Sequence, residues 1–415
     1  MKPSLATRGR TGPALPLSWG VAGRCIVQVF TGSVAAYRAV DVARGLRRRG
    51  ARVVPAATRS ALKLVTRELL EWATGEELYR LWGSTRRDHI ALSEECDALL
   101  IDPATLDAME RVAHRHADNE VSLLAQVFLG AGKPVLMVPA MHGQMWRRAS
   151  DELLDLLDEQ GVYVLEPRME EGRAKHPPVE EVVDWVDAVL ARGRDYAGLR
   201  VLVTAGPTRE WIDDVRFISN PSTGLMGFSV AAEAADRGAE VTLVHGPTLL
   251  EPPRRVKAVA VETTEDMAEA AAREARLLMP HVVFHVAAPV DFRPRERLSG
   301  KVRSGEELTL ELVPTPQVSR AVREEAPRAL HFGFTAVPAA SLEELVEEAR
   351  AKMEKHGFDA VAANAAQRAF ASPTNEVVVV TRSGLVEYIP EAPKRLVARR
   401  LLDIALALLA AGRRR

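Results

Sequence analysis

A chain of 415 residues, 47% hydrophobic and 27% charged with a net charge of -1, can build two cores and carries no positive excess for a polyanion. The profile is that of a soluble globular protein and excludes nucleic acid as an expected partner. Cys25 and Cys96 are the only cysteines, too few for a disulfide framework or a structural zinc site within one chain, so a reducing compartment, the cytoplasm, is expected.

The first 22 residues hold Pro3, Pro13 and Pro16 and no sustained apolar run, so residues 1–23 read as a loose tail and not as a signal or membrane anchor. The apolar run Cys25–Phe30 ends at Thr31-Gly32-Ser33, after which Val34, Tyr37, Val40, Ala43 and Leu46 fall at helical spacing. Residues 52–56, 98–101, 135–138 and 162–165 are further strand-length runs separated by helical stretches. Together they predict an α/β domain over residues 24–194 with a doubly wound parallel sheet and ligands at the carboxyl ends of its strands. The turn TGSVAAY lacks G-x-G-x-x-G, which argues against a dinucleotide and leaves a mononucleotide.

TGSVAAYRA, His89-Ile90-Ala91-Leu92, Asp102-Pro103-Ala104-Thr105 and Pro139-Ala140-Met141-His142, continuing to Met145-Trp146, resemble the motifs of the flavin-containing cysteine decarboxylases. The resemblance implies a flavodoxin-like fold with FMN held by Thr31, Gly32, Ser33, Pro103, Ala104, Thr105 and Met141, and His89 as an active-site residue. In that family the flavin takes a hydride from the carbon bearing the thiol, and the resulting thioaldehyde loses carbon dioxide. Three positions depart from the pattern: Asp107 and His142 stand where asparagines are expected, and residues 167–175 contain no cysteine. A cysteine there is the family's proton donor, so Lys175 or His142 is the expected replacement, provided its charge is crowded or desolvated.

Residues 195–198 form a short polar junction, and the second domain is expected over 199–415. Val201, Leu202 and Val203 open it as a strand ending at Gly206-Pro207-Thr208; Ser222 or Thr223 can cap the helix that starts near Met226. A helix N-terminus above a strand end suits an anion, although the loop by itself is equally that of an ordinary βα turn. Residues 240–244, 256–261 and 282–286 continue the alternation with a helical stretch over 266–279, predicting a second, Rossmann-like sheet. Leu308, Leu310 and Leu312 alternate with polar neighbours, as in a β-ribbon across 301–313, and helices are expected over 341–355 and 393–409.

AGPTRE, VRFISN and STGLMG, then Asp291, Lys301-Val302-Arg303-Ser304, Gly333-Phe334-Thr335-Ala336, Asn364 and Phe370-x-Ser372-x-x-Asn375, resemble the phosphopantothenate-cysteine ligase family of coenzyme A biosynthesis. The resemblance implies a nucleotide site with Gly206, Asp291, Lys301 and Phe334. It also implies catalytic Lys301 on the triphosphate, Asn220 on the acyl carbonyl, Mg²⁺, and a ribbon that supports a homo-oligomer. No metal ligands are assigned. Three of the four asparagines in the chain, Asn220, Asn364 and Asn375, fall in these motifs, although amides are otherwise sparse beside abundant arginine, a bias that fits a heat-adapted source or GC-rich coding. The joint expectation is a bifunctional enzyme. It would join 4'-phosphopantothenate to cysteine with CTP and then decarboxylate the product with FMN. The alternative is a ligase whose first domain is only an oligomerisation scaffold.

Overall fold

The structure is a computed structural model that describes residues 17–80, 89–149, 151–303, 305, 307–338, 341–365 and 372–412. Ser304 and Phe370 of the expected motifs lie outside the described residues. The chain divides between Gly193 and Arg194 into two compact units.

In the first unit the chain runs β1 (Cys25–Phe30), α1 (Ala36–Arg48), β2 (Arg52–Ala57), α2 (Arg67–Thr74), β3 (Tyr79–Arg80), α3 (His89–Glu95) and β4 (Ala98–Ala104). It continues with α4 (Leu106–Ala113), α5 (Glu120–Gly130), β5 (Val135–Pro139), β6 (Met141–His142) and α6 (Gly143–Trp146). Last come α7 (Asp151–Glu159), β7 (Val162–Val164), β8 (Arg168–Glu170), β9 (Arg173–Lys175) and α8 (Val179–Arg192). The parallel sheet has the order β3-β2-β1-β4-β5-β7. Side chains alternate across a strand, so Ile26 and Phe30 of β1 join the α1 and α8 layer while Val27 and Val29 join the α4 and α5 layer. Burial on both faces is why β1 reads as a mainly apolar run and not as an alternating one. The strand order reverses between β1 and β4, the crevice where a doubly wound sheet receives its ligand. Beside it, β6, β9 and β8 form a three-stranded antiparallel sheet.

Three expectations are corrected here. Residues 19–23, expected in the tail, include packed positions: Val21 is wholly buried and its N–H donates to Asp187 Oδ1 at 3.1 Å, while Arg49 lies 4.0 Å above the Trp19 ring. Helix α1 begins only at Ala36, so Val34 and Tyr37 are exposed and the buried face is Ala36, Ala39, Val40, Ala43 and Leu46. The cysteines are not free thiols. Ile26 pairs with Ala98, which brings the starts of β1 and β4 together, and Cys25 and Cys96 are joined as a disulfide with Cα atoms 4.5 Å apart.

The second unit opens with β10 (Arg200–Ala205), β11 (Arg209–Trp211), β12 (Phe217–Ser219), α9 (Leu225–Asp236), β13 (Glu240–His245), β14 (Lys257–Ala260), α10 (Thr264–Leu278) and β15 (Val282–His285). It goes on through β16 (Phe292–Pro294), β17 (Leu312–Pro314), α11 (Val318–Glu325), β18 (Leu330–Val337) and α12 (Leu342–His356). It closes with β19 (Ala360–Ala365), β20 (Thr374–Thr381), β21 (Val386–Pro393) and α13 (Lys394–Gly412). Its sheet has the order β14-β13-β10-β15-β18-β19-β20-β21, parallel as far as β19 and antiparallel beyond. Again the order reverses beside the first strand, between β10 and β15. The expected ribbon across 301–313 is corrected: the pairing is between β16 and β17, so among the described residues only the end of that stretch is strand.

Helix α9 lies close on β10 because Gly227 has no side chain; a Cβ there would come 2.5 Å from that of Ala205. Between α9 and α13 the contact is ionic. Glu233, wholly buried, takes Arg399 Nε at 2.7 Å and Arg395 Nε at 2.8 Å. Asp236 pairs with both Arg255 and Arg395. Buried Arg237 reaches Asp195 at 2.6 Å and Asp403 at 3.0 Å, and lies 4.8 Å above the Tyr196 ring. No described helix is long and apolar enough to cross a membrane.

Candidate active sites

In the first unit three loops meet at the carboxyl ends of β1, β4 and β5, and two hydroxyls fasten them. Thr31 Oγ1 donates to the Pro103 carbonyl at 2.5 Å and Ser33 Oγ to that of Ala140 at 2.9 Å. The segments carrying Thr31, Gly32 and Ser33, Pro103, Ala104 and Thr105, and Met141 are thus drawn together. Thr105 itself caps α4, accepting from Ala108 N–H at 3.3 Å. Helix α1 starts at this loop with no side-chain cap and no acid in its first turn, which leaves its N-terminal dipole for a ligand's anion. These features fit the phosphate end of a mononucleotide flavin. His89 opens α3 and is half-buried.

The two candidate acids share the three-stranded sheet, since His142 on β6 is paired with Arg173 and Lys175 ends β9. His142 caps α6, its Nδ1 accepting from Gln144 N–H at 3.3 Å, so in the neutral ring the proton sits on Nε2. For Lys175 the expected condition is reversed. Its ammonium is not crowded by positive charge but held by Glu171 at 2.8 Å and Glu170 at 3.2 Å, and the hydrogen bonds to these carboxylates raise it above the usual lysine range. Asp107, exposed in the first turn of α4, is paired with Arg111 at 2.9 Å.

In the second unit a cavity of about 980 Å³ opens at the carboxyl ends of β10, β15 and β18. Asn220, Asp291, Phe334, Asn364 and Asn375 line it together; Gly206 and Lys301 are not in its wall. Gly206 instead makes the turn after β10 at a φ of 76°, where a side chain would be strained. The helix cap is also corrected: α9 is entered from Gly224 in the left-handed region with no side-chain cap. Ser222 and Thr223 accept instead from the amides two residues on, at 3.3 and 3.4 Å. With no acid in the first turn either, the start of α9 offers its dipole to the cavity.

The AGPTRE string has a physical role. Thr208 Oγ1 accepts from Val290 N–H at 2.9 Å and bonds Thr264 Oγ1 at 2.8 Å, while Glu210 accepts from Thr264 N–H at 2.8 Å. Asn220 donates through Nδ2 to the carbonyls of Ala288 at 3.2 Å and Pro289 at 3.0 Å. All four residues hold the loop that presents Asp291. The expected role of Asn220 changes accordingly: both amide hydrogens are engaged by backbone, leaving its oxygen as the group available to a ligand.

Lys301 is exposed on a loop pinned at both neighbours. Gly300 N–H donates to Asp214 at 2.9 Å and Val302 N–H to Asp213 at 3.2 Å, and Arg216 donates to the Val302 carbonyl at 3.1 Å. Burial pushes the Asp213 carboxyl up, but hydrogen bonds from Val215, Arg216 and Val302 N–H outweigh it and bring it down to about 2.

Lys352, Lys355 and His356 of α12, together with Lys394, form the cationic part of the cavity wall. Burial draws the Lys352 ammonium below the usual lysine range against the opposing charge of Asp291. His356 is lowered as well, by burial and then by the Lys352 and Lys355 charges; its ring stacks on Phe358 at 5.4 Å. Sequence reasoning missed this group because α12 reads as an amphipathic helix with a solvated face. The signal was the i, i+3, i+4 placement of Lys352, Lys355 and His356 near its carboxyl end. Among the described residues no group of three or more His, Cys, Asp or Glu side chains is gathered as a metal site.

Residues 21–191 match the Flavoprotein family and residues 196–408 match the DNA/pantothenate metabolism flavoprotein C-terminal domain. The chain is 38% identical to the coenzyme A biosynthesis bifunctional protein CoaBC of Thermococcus kodakarensis, over 92% of this chain and 94% of that one. It is 34% identical to CoaBC of Mycobacterium tuberculosis over 93% and 97%, and 33% identical to that of Escherichia coli over 92% and 97%.

Proposed function

The chain belongs to the family of coenzyme A biosynthesis bifunctional proteins, and on that premise we propose which of its residues carry the ligase and decarboxylase reactions. The observation that carries the reading is that each sheet has its candidate site at the point where its strand order reverses, beside an uncapped helix N-terminus.

In the second unit the carboxylate of 4'-phosphopantothenate attacks the α-phosphate of CTP and pyrophosphate leaves. Attack on the acyl-cytidylate by the amine of cysteine then forms the amide and releases CMP. Lys352, Lys355 and His356 offset the phosphate charge, and the N-terminus of α9 receives a phosphate oxygen. Lys301 reaches the triphosphate from its loop. Asn220 sets the 287–291 loop, and its free oxygen accepts from the cysteine amine. Mg²⁺ is held mainly by the nucleotide's phosphates, as is usual for an ion that keeps much of its water. Exposed Phe292 and Leu312 on the β16 and β17 ribbon form the contact of a homo-oligomer.

Lys301→Gln and Lys352→Gln separate two roles. Each is expected to slow pyrophosphate release by at least about tenfold, the value of one charged hydrogen bond, Lys352→Gln chiefly through nucleotide affinity and Lys301→Gln chiefly through turnover. An unimpaired rate for either removes that lysine from the site.

In the first unit FMN, bound by the Thr31 to Ser33, Pro103 to Thr105 and Met141 loops, supplies the hydride acceptor for oxidative decarboxylation of 4'-phosphopantothenoylcysteine. His89 orients the substrate. The enethiol left after loss of carbon dioxide needs a hydride returned from the reduced flavin and a proton at the adjacent carbon, and His142, as imidazolium, is the donor favoured here because it is not tied to two carboxylates as Lys175 is. Lys175, tied to two carboxylates, is the weaker candidate.

The purified protein is therefore expected to be yellow with a flavin spectrum, and His89→Asn to cut carbon dioxide release by at least about 100-fold while leaving ligation intact. Mass spectrometry of the product from His142→Ala should find the enethiol, two hydrogens lighter than 4'-phosphopantetheine. A colourless protein that ligates normally and releases no carbon dioxide would establish the scaffold reading instead.

A further inference from the structure

His176 follows β9 directly, yet unlike the exposed residues of that hairpin its side chain is 1% exposed. The ring lies between two acceptors. Nε2 is 2.7 Å from Asp102 Oδ1, and Nδ1 is 2.7 Å from the Pro177 carbonyl. A carboxylate and a backbone carbonyl on the two ring nitrogens suit an imidazolium, which donates from both. Asp102, 0% exposed, gives its other oxygen to Gln28 Nε2 at 3.4 Å, and the same Nε2 donates to the Ala39 carbonyl at 3.0 Å. Asp102 also immediately precedes Pro103, whose carbonyl receives the Thr31 hydroxyl. One buried charge pair therefore connects β1, α1, the end of β4 and the end of the β8 and β9 hairpin.

We propose that His176 is a positioning residue, latching the β8 and β9 hairpin to the flavin-site loop so that His142 and Lys175 are held at the site only while the imidazole is protonated. The proposal rests on the decarboxylase reading only for the purpose of the hairpin; the latch itself is a matter of the buried pair. Burial opposes the ring's charge, but the Asp102 charge and hydrogen bond, with the Pro177 carbonyl, outweigh it and raise the imidazole above its ordinary value. Of the charged groups around it, Asp102 on β4 favours the proton and Arg38 on α1 disfavours it, while Lys175 on its own hairpin is engaged by Glu170 and Glu171. A raised folded value means that the latch is fully made below the unfolded histidine's value of about 6.5 and is lost as pH rises through the folded one.

Hydrogen exchange of the full-length protein, followed by mass spectrometry between pH 6 and 9 and corrected for intrinsic base catalysis, reads the latch without flavin chemistry or substrate. Protection of residues 168–175 is expected to fall at least tenfold across that range, with the α5 amides unchanged. Asp102→Asn keeps the shape but removes the charge, so its hairpin protection should be low and flat with pH. The paired change Asp102→Leu with His176→Leu should be flat as well. A flat wild-type profile, or an Asp102→Asn profile that falls as the wild type's does, overturns the proposal; the wild-type result decides it even where a variant does not fold.

Discussion

Glu233→Ala is expected to lower the melting temperature of the second unit by about 6–20 °C, the equivalent of about 3–5 kcal/mol in a domain of this size. The carboxylate is wholly buried between Arg395 and Arg399, and its removal strips the shared anion from two guanidinium groups that are themselves nearly buried. Asp236 still holds Arg395 when Glu233 is removed. Burial alone would raise the Glu233 carboxyl, but Arg395 and Arg399 hold it below the usual carboxylate range. Its contribution is therefore present above the unfolded value of about 4.3 and disappears as pH falls through the lower folded one. Calorimetry of wild type and variant at pH 7 and again near pH 3 checks both statements. Equal melting temperatures at pH 7 would mean that the α9 and α13 contact is held by its apolar residues alone.

Asn220→Asp is expected to reduce amide formation by about 100-fold, the usual cost of misplacing a reacting group by about 1 Å. The reason differs from simple loss of a ligand contact. A carboxylate in this position turns two donated hydrogen bonds into close approaches between oxygens, against the Ala288 and Pro289 carbonyls, so the loop presenting Asp291 must move. Activation and amide formation should both suffer. Measuring pyrophosphate and amide separately tests this, because a variant that released pyrophosphate at the wild-type rate and failed only with cysteine would place Asn220 in the second step alone.

The strands were legible because both central ones, β1 and β10, are covered on two faces and appear as mainly apolar runs. Their loops were legible because turn chemistry and helix periodicity follow at once, and Thr31, Ser33, Asn220 and Asp291 all stand at strand ends or in the loops beside them. What the sequence hid is contact between distant segments. Nothing in the spacing of Cys25 and Cys96 says that β1 and β4 are neighbours, and nothing around His176 says that its ring meets Asp102. Lys352 and His356 were hidden for another reason, since a basic turn at the end of a helix also favours the dipole and needs no ligand to explain it. Helix starts were misread where small polar residues offered caps that the backbone did not use: Ser222 and Thr223 turn the chain back on itself before Gly224.

The bond between Cys25 and Cys96 spans 71 positions and makes this part of the chain a closed loop in the covalent sense. Thr31, Gly32, Ser33 and His89 all lie within it. A single peptide cut anywhere between the two cysteines opens the loop without releasing a fragment, so a nicked molecule keeps its expected flavin residues on one covalent body until the sulfurs are reduced.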